Sequence, residues 1–218
     1  MKPILLLLVL AATAMPALGG VGEANVITDI VRLEGVEVSL MVLPDGSGTP
    51  FSEAMMFSGG TVDASMELLI GTEVHAFIPN LPASEISLQA ADNAIGVVQG
   101  CPEPSDWGLT PLVGTDDQGH VFFDDPLSGG GWCEGPMFMM IAGNTYVIAG
   151  PDSQGPVFDI RFNSPDVNGD LQVNLSDIAV FTQDLRGEYR YRSDFVWDGV
   201  INLSDIVRMT QGIGTNCE

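Results

Sequence analysis

Two stretches near the C-terminus carry oxygen-bearing side chains at the intervals of a calcium loop. In the first, Asp166, Asn168, Asp170, Asn174 and Asp177 fall at positions 1, 3, 5, 9 and 12 of a twelve-residue segment, and Gln172 stands at position 7, where a backbone carbonyl serves. In the second, Asp194, Asp198, Asn202 and Asp205 take positions 1, 5, 9 and 12, with Val200 offering the position-7 carbonyl. A hard cation such as calcium takes about six to eight oxygens, and a tight loop with donors on alternate residues aims them at one centre. The run Asn-Leu-Ser-Asp-Ile at 174–178 recurs unchanged at 202–206, and Thr182-Gln183 recurs as Thr210-Gln211. Two copies in register are far harder to obtain by chance than one, so two calcium sites are expected. Position 3 of the second loop is Val196, which has no side-chain oxygen; that site either binds more weakly or takes an extra water. Leu171 stands at position 6 of the first loop, where glycine is usual. The turn there is either strained or differently shaped.

Each loop needs an element to hold its twelfth residue in place, and the sequence supplies a short helix after each. Asn174 and Asn202 are N-cap residues, with Asp177 and Asp205 three positions on, favourable near a helix N-terminus. Leu175, Ile178, Phe181 and Leu185 recur at near-helical spacing, as do Leu203, Ile206, Met209 and Ile213. These stripes are expected to form the small module's own core. So small a unit has little core to bury, and bound metal should supply much of its stability.

Ahead of the rigid break Asn163-Ser164-Pro165, the pattern of residues 20–162 is that of an all-β region. Residues 36–43 alternate, with Val36, Val38, Leu40 and Val42 on one face and Glu37 and Ser39 on the other, and end at the turn Pro44-Asp45-Gly46-Ser47-Gly48. Residues 66–70 and 73–78, separated by Gly71-Thr72, read as a tight hairpin. Further short runs lie at 86–88, 95–98, 121–123, 138–141 and 146–148. Many short strands with frequent turns imply a β-sandwich, so the fold class is mainly β with a small α module.

Two resemblances refine this reading. Residues 115–123 (Thr-Asp-Asp-Gln-Gly-His-Val-Phe-Phe) resemble the Thr-Asp-x-x-Gly-x-x-x-Phe hairpin of bacterial Ig-like domains, which implies an Ig-like sandwich; the same residues would also serve an ordinary acidic hairpin. The two loop–helix repeats, from Asp166 to Ile213, resemble a dockerin, the module that plugs into cohesin domains. Position 12 is Asp rather than Glu, and no incoming helix precedes either loop, both of which favour dockerin over an ordinary EF-hand. The resemblance implies that the first loop holds calcium through Asp166, Asn168, Asp170, Gln172 and Asp177, with Asn174 acting through water. In the second loop it implies Asp194, Asp198, Val200 and Asp205, with Asn202 placed like Asn174. It also implies a cohesin-like or cell-surface partner, met by the residues just before position 12. Here these are Leu175-Ser176 and Leu203-Ser204, identical in both copies and unlike the Ser-Thr pair of many cellulosomal enzymes.

Composition limits the remaining classes. The 218-residue chain carries a formal charge of −22, which repels nucleic acid and anionic lipid. Lys2, the apolar residues 4–12 and the small residues up to Gly19 form the pattern of a secretory signal peptide over residues 1–19, so the protein is expected outside the cell. In such a compartment Cys101 and Cys133, both in the strand-rich region, are the expected disulfide, contributing about 3–4 kcal/mol on a chain-entropy basis if geometry permits. Cys217 is then left over, either free or bonded between chains. Three scattered Cys and two isolated His, His75 and His120, give no zinc spacing. Asp116-Asp117 and Asp124-Asp125 are adjacent turn residues, not carboxyls facing across a cleft, and no nucleophile motif is present. The chain therefore reads as a non-catalytic, secreted or surface interaction protein. The competing reading is a small polysaccharide-binding or polysaccharide-degrading component delivered to a scaffold by its dockerin, with Trp107 and Trp132 either beginning a sugar-stacking row or packing over a disulfide.

Overall fold

The computed structural model describes residues 7–9, 24–29, 36–57, 59–72, 77–90, 95–101, 108–135, 137–141, 144–146 and 160–217. The strands in chain order are β1 (Leu7–Val9), β2 (Ala24–Asp29), β3 (Val38–Met41), β4 (Ala54–Met55), β5 (Thr61–Val62), β6 (Met66–Thr72) and β7 (Ile86–Ala90). They continue as β8 (Ile95–Gly100), β9 (His120–Phe123), β10 (Gly129–Glu134), β11 (Met137–Ile141), β12 (Asn144–Tyr146) and β13 (Ile160–Asn163). Two helices follow, α1 (Leu175–Arg186) and α2 (Leu203–Gly212), so the protein is mainly β with a small helical part.

Among the described residues three sheets form, in the orders β1-β2-β6-β9, β5-β4-β3-β13-β10-β8 and β12-β11-β7. They share one apolar core, to which β3 gives Val38 and Leu40, β6 gives Met66, Leu68 and Ile70, β9 gives Val121 and Phe123, and β13 gives Ile160 and Phe162. Period-2 alternation explains each set, since every second side chain points inward. The pairings between these strands are antiparallel except β3 with β13, whose parallel register sets Val38 opposite Ile160 and Met41 opposite Asn163.

The alternating face expected of residues 36–43 is present, but its other side is not solvated. Ser39 and Met41 are both buried. The C-terminal module lies against that outer face. Met41 and Leu43 share a second core with Val167, Val173, Phe181, Phe195 and Met209. Phe181 and Phe195 stack with centroids 5.9 Å apart, and burying each such side chain contributes about 1.5–3 kcal/mol. The Ser39 hydroxyl and the Tyr191 phenol are hydrogen-bonded at 2.8 Å across the same junction. Arg161, outward-facing on β13, lies over the rings of Tyr191 and Trp197 and donates to Glu134 at 2.7 Å.

The helical stripes thus divide. Phe181 and Met209 are buried and Ile178 is partly so, but they pack on the sheet as well as on each other. Leu175, Leu185, Leu203, Ile206 and Ile213 are exposed, Leu175 by 81% and Leu203 by 71%. A self-contained core would have covered them; the sheet takes that role instead and needs fewer helix residues to do it. Another local expectation shifts: β6 runs through Gly71 and Thr72, and among the described residues the chain pairs back on Gly71 at Phe77, with 73–76 outside them. Of the strand expected at 146–148, Tyr146 lies in β12, and 147 and 148 lie outside the described residues. His75 and Trp107 lie outside the described residues.

The disulfide joins Cys101 to Cys217, not to Cys133. β8 and β10 are indeed neighbours, but their register sets Cys133 opposite Gly96 and Gly129 opposite Gly100. Cys101 therefore lies beside Ser128, whose carbonyl its amide meets at 3.3 Å, about 17 Å along the strand from Cys133. No bridge spans that separation. The C-terminal tail instead pairs with the first loop, Val173 amide to Thr215 carbonyl at 3.0 Å and Cys217 amide to Leu171 carbonyl at 3.1 Å. That ladder carries Cys217 to Cys101, with Cα atoms 5.7 Å apart. Cys133 is a buried free thiol, and burial pushes its pKa up to about 11. Closing a loop of 116 residues contributes about 4–5 kcal/mol on a chain-entropy basis. Cys217→Ser is accordingly expected to lower Tm by roughly 8–20 °C. Thiol titration of the wild type should find one reactive group, Cys133, and only after unfolding; a Tm within about 2 °C of wild type would show that the bridge adds little.

Candidate metal centre

The two loops share one hydrogen-bond scheme, position by position. The carboxylate at position 1 collects the amides of positions 5 and 6. Asp166 accepts from Asp170 at 3.1 Å and Leu171 at 2.8 Å, and Asp194 from Asp198 at 3.2 Å and Gly199 at 2.8 Å. The carboxylate at position 12 joins the amides of positions 3 and 9. Asp177 accepts from Asn168 at 3.2 Å and Asn174 at 2.9 Å, and Asp205 from Val196 at 3.1 Å and Asn202 at 2.9 Å. Asn174 and Asn202 cap the helices as expected, each accepting at Oδ1 from the serine amide two residues on at 2.8 Å. Their Nδ2 groups donate to the position-7 carbonyls of Gln172 and Val200 at 3.3 and 3.1 Å. With Asp177 and Asp205 returning to the cap amides, both helices begin with a full capping box.

The backbone bends identically in both copies. Positions 4 and 6 are left-handed, at Gly169 (φ 75°) and Leu171 (φ 62°) in one loop and Trp197 (φ 50°) and Gly199 (φ 82°) in the other. Each loop has glycine at one of the two positions and a large side chain at the other. Of the alternatives for Leu171, the turn keeps its shape and the residue adopts the disfavoured conformation, at a cost of about 1–2 kcal/mol. Burial holds both large side chains there: Leu171 is 5% and Trp197 3% exposed. Trp197 also meets the Phe57 ring edge-on at 5.6 Å.

In the first loop one carboxylate oxygen from each of Asp166, Asp170 and Asp177 lies within 4.8 Å of the others. Among the described residues this is the acidic group that converges closely enough for one ion. Asn168 sits in the same ring, its Oδ1 accepting from the Asp170 amide at 2.9 Å and its Nδ2 donating to Asp170 Oδ2 at 3.0 Å. In the second loop Tyr189 donates its hydroxyl to Asp194 Oδ2 at 2.9 Å, and Val196 contributes only its amide.

The electrostatics separate these carboxylates from ordinary buried ones. Asp166 and Asp177 have no exposed surface, nor do Asp194 and Asp205. Burial pushes the Asp166 carboxyl up to about 6, with the Asp177 charge adding to the rise against the amide donors. Burial likewise raises Asp177, Asp194 and Asp205. Asp184 is buried too, which would raise it, but the Arg192 fork grips it at 2.7 and 2.9 Å and the result is a lowered value. Among the described residues no arginine or histidine is bonded to the four raised loop carboxylates. Buried acids without a counter-charge, ringed by further oxygens and no sulfur or nitrogen ligand, suit a hard divalent cation.

The sheet helps to build the first loop. The Gly131 amide donates to the Asp166 carbonyl at 2.8 Å, and a Cβ on Gly130 would lie 1.8 Å from Asp166 Oδ2. Ser164 Oγ accepts from the Asp166 amide at 3.2 Å, and Asn163 Nδ2 donates to the Asp194 carbonyl at 2.8 Å. Sequence reasoning missed Gly130, Gly131, Asn163 and Tyr189. The triple glycine at 129–131 was the one available signal, since three glycines beside a strand imply close backbone approach. The acidic turn at 116–120 is structural here: Asp116 accepts from the Gln118 and His120 amides at 2.8 and 2.9 Å, which hold its carboxyl below the usual range.

Comparison with known proteins returns no match: no family model fits the chain, and no curated protein or solved structure is significantly similar to it.

Proposed function

We propose that this is an exported, non-catalytic interaction protein whose first C-terminal loop binds calcium and whose second binds it more weakly. The observation that carries the reading is the convergence of Asp166, Asp170 and Asp177, two of them buried and without a cationic partner, inside a repeat whose bonding recurs in the second loop. Asn168 and the Gln172 carbonyl complete the first site, and Asn174 contributes through water. Asp194, Asp198, the Val200 carbonyl and Asp205 form the second, with Asn202 placed like Asn174. We read the pair as dockerin-like and the β region as an Ig-like sandwich. The Thr115-Asp116 turn supports the latter: Thr115 Oγ1 accepts from the Leu81 amide and donates to the Ile78 carbonyl, both at 2.8 Å. Docking to a cohesin-like or surface partner is supported by Leu175 and Leu203, which open both helices and stand exposed.

Calcium titration by calorimetry, with melting curves in calcium and in EDTA, tests the reading. Two binding events of unequal affinity and a higher Tm in calcium are expected. The pH dependence has a definite sign. A carboxyl that burial raises to about 6 keeps its proton more tightly folded than unfolded. Its stabilising effect on that fold is therefore present at low pH and lost as pH rises through 6. Calcium must displace that proton, so the calcium-induced rise in Tm should be large at pH 7.5 and shrink on acidification through 6. An identical melt with calcium and with EDTA at pH 7.5 refutes the metal centre.

A further inference from the structure

Where α1 leaves the sheet, a cleft of about 350 Å³ lies between Trp132 on β10 and the segment that ends α1 and follows it. The alternation of β10 puts Trp132 on the outer face: Cys133, its neighbour, is buried in the sheet core, and Gly130 lies under Asp166. Gln183, Asp184, Glu188, Arg190 and Arg192 line the rest. Gly187 lies among them and leaves space by having no side chain.

The chemistry of this lining is specific. Arg192 is committed to Asp184 through two bonds of 2.7 and 2.9 Å, and Ser193 Oγ adds a third to the same carboxylate at 2.7 Å. That pair is a fixed, neutral floor. Glu188 and Arg190 are exposed and add one charge of each sign, so the lining is formally neutral within a chain of charge −22. Such a cleft does not concentrate anions. Nor does it suit a wholly apolar ligand, because among the described residues that line it Trp132 is the one aromatic wall. What fits is a molecule with an apolar face and a rim of groups that both donate and accept. A sugar ring has that form. Its C–H face carries slight positive charge and meets the negative face of an indole. Its neighbouring hydroxyls match the Gln183 amide, which donates and accepts, the Glu188 carboxylate, which accepts, and the Arg190 guanidinium, which donates in a fork. The volume lies at the small end of ligand pockets, roughly 300–1,000 Å³, which limits the occupant to a short saccharide.

We infer that this cleft binds a neutral mono- or disaccharide unit, stacked on Trp132 and hydrogen-bonded by Gln183, Glu188 and Arg190. It differs from a flat aromatic row on a sheet face, since the C-terminal module supplies one wall. It also stands apart from the calcium reading and survives or fails without it.

The test uses the full-length protein in saturating calcium, titrated by calorimetry and tryptophan fluorescence. The probes are gluco-, xylo-, manno- and galacto-oligosaccharides, with oligogalacturonate and inorganic phosphate as anions. At least one neutral oligosaccharide should bind with Kd on the order of 1 mM or tighter. Trp132→Ala should weaken it at least about tenfold, or 1.4 kcal/mol, and Trp132→Phe, which keeps an aromatic face, should retain most of the affinity. Gln183→Ala and Arg190→Ala, both at exposed positions, should each weaken it about threefold or more while leaving Tm and calcium titration unchanged. No binding of any neutral probe at about 50 mM overturns the inference. Binding confined to the anions does so too, as does neutral-sugar binding that Trp132→Ala leaves intact.

Discussion

Gly130→Ala is expected to abolish calcium binding by the first loop and to lower Tm by roughly 2–12 °C, although residue 130 lies outside both loops. An added methyl group would stand 1.8 Å from Asp166 Oδ2, closer than any real contact. Asp166 cannot yield, because its carboxylate accepts from the Gly169, Asp170 and Leu171 amides at 3.0, 3.1 and 2.8 Å. Its own carbonyl is meanwhile held by the Gly131 amide. Moving it breaks the scheme that gathers the first-loop ligands, and overpacking of this kind costs about 1–3 kcal/mol, or roughly 2–4 °C per kcal/mol in a chain of this size. Neighbouring glycines answer to other constraints. A Cβ on Gly129 would meet Leu109 Cδ2 at 2.4 Å, and Gly131 has φ 78°. Calcium stoichiometry is the decisive readout for Gly130→Ala. Two sites with wild-type affinities in that variant would show that the sheet does not shape the loop.

This dependence of loop on sheet marks the limit of what the sequence could reveal. The loops, caps and helices were legible because their signals are local. Asn174 caps α1 and Asp177 returns to it within four residues, and the spacing of Asp166, Asn168 and Asp170 follows from one turn of backbone. Most short β runs were legible for the same reason, through alternation. The docking of the module was not. Alternation set Glu37 and Ser39 on the face opposite Val38 and Leu40, but period 2 reports which residues share a side and not what covers it. Gly129–Gly131 carry no hydropathy at all, so β10 was missed despite pairing with two neighbours. The Cys101–Cys217 bridge failed for a related reason. Pairing from sequence favoured proximity along the chain, whereas strand register separated Cys101 from Cys133 and a tail ladder delivered Cys217. The leucines at 175 and 203 were assigned to a core that the sheet had already completed.

The sharpest separation of ligand from scaffold should come from Asp170→Ala. Asp170 is the exposed member of the first triad, and its carboxylate accepts from only the Gln172 amide and the Asn168 side chain, at 3.0 Å each. Removing it deletes one of the three charges that would face the proposed ion while leaving Asp166 and Asp177, and the amides they hold, in place. Calcium affinity depends strongly on the number of charged ligands, so a loss of roughly a hundredfold or more at the first site is expected. In EDTA the same variant should melt within about 2 °C of wild type, since an exposed side chain with weak bonding costs little to remove. Asp166→Ala must behave differently, because it takes the side-chain acceptor from the Gly169, Asp170 and Leu171 amides and leaves the buried Leu171 amide without a partner, at about 1–3 kcal/mol for such a group, and it should melt low with or without calcium. Asp198→Ala occupies the equivalent place in the second loop. There Val196 already leaves the site short of an oxygen, so the variant should remove the weaker binding event and barely change the calcium-induced rise in Tm. If Asp170→Ala and Asp198→Ala prove equal in that rise, the two loops share the ion-binding work evenly and the asymmetry assigned to Val196 is wrong. If neither changes it, the stabilising ion does not sit at position 5 of either loop.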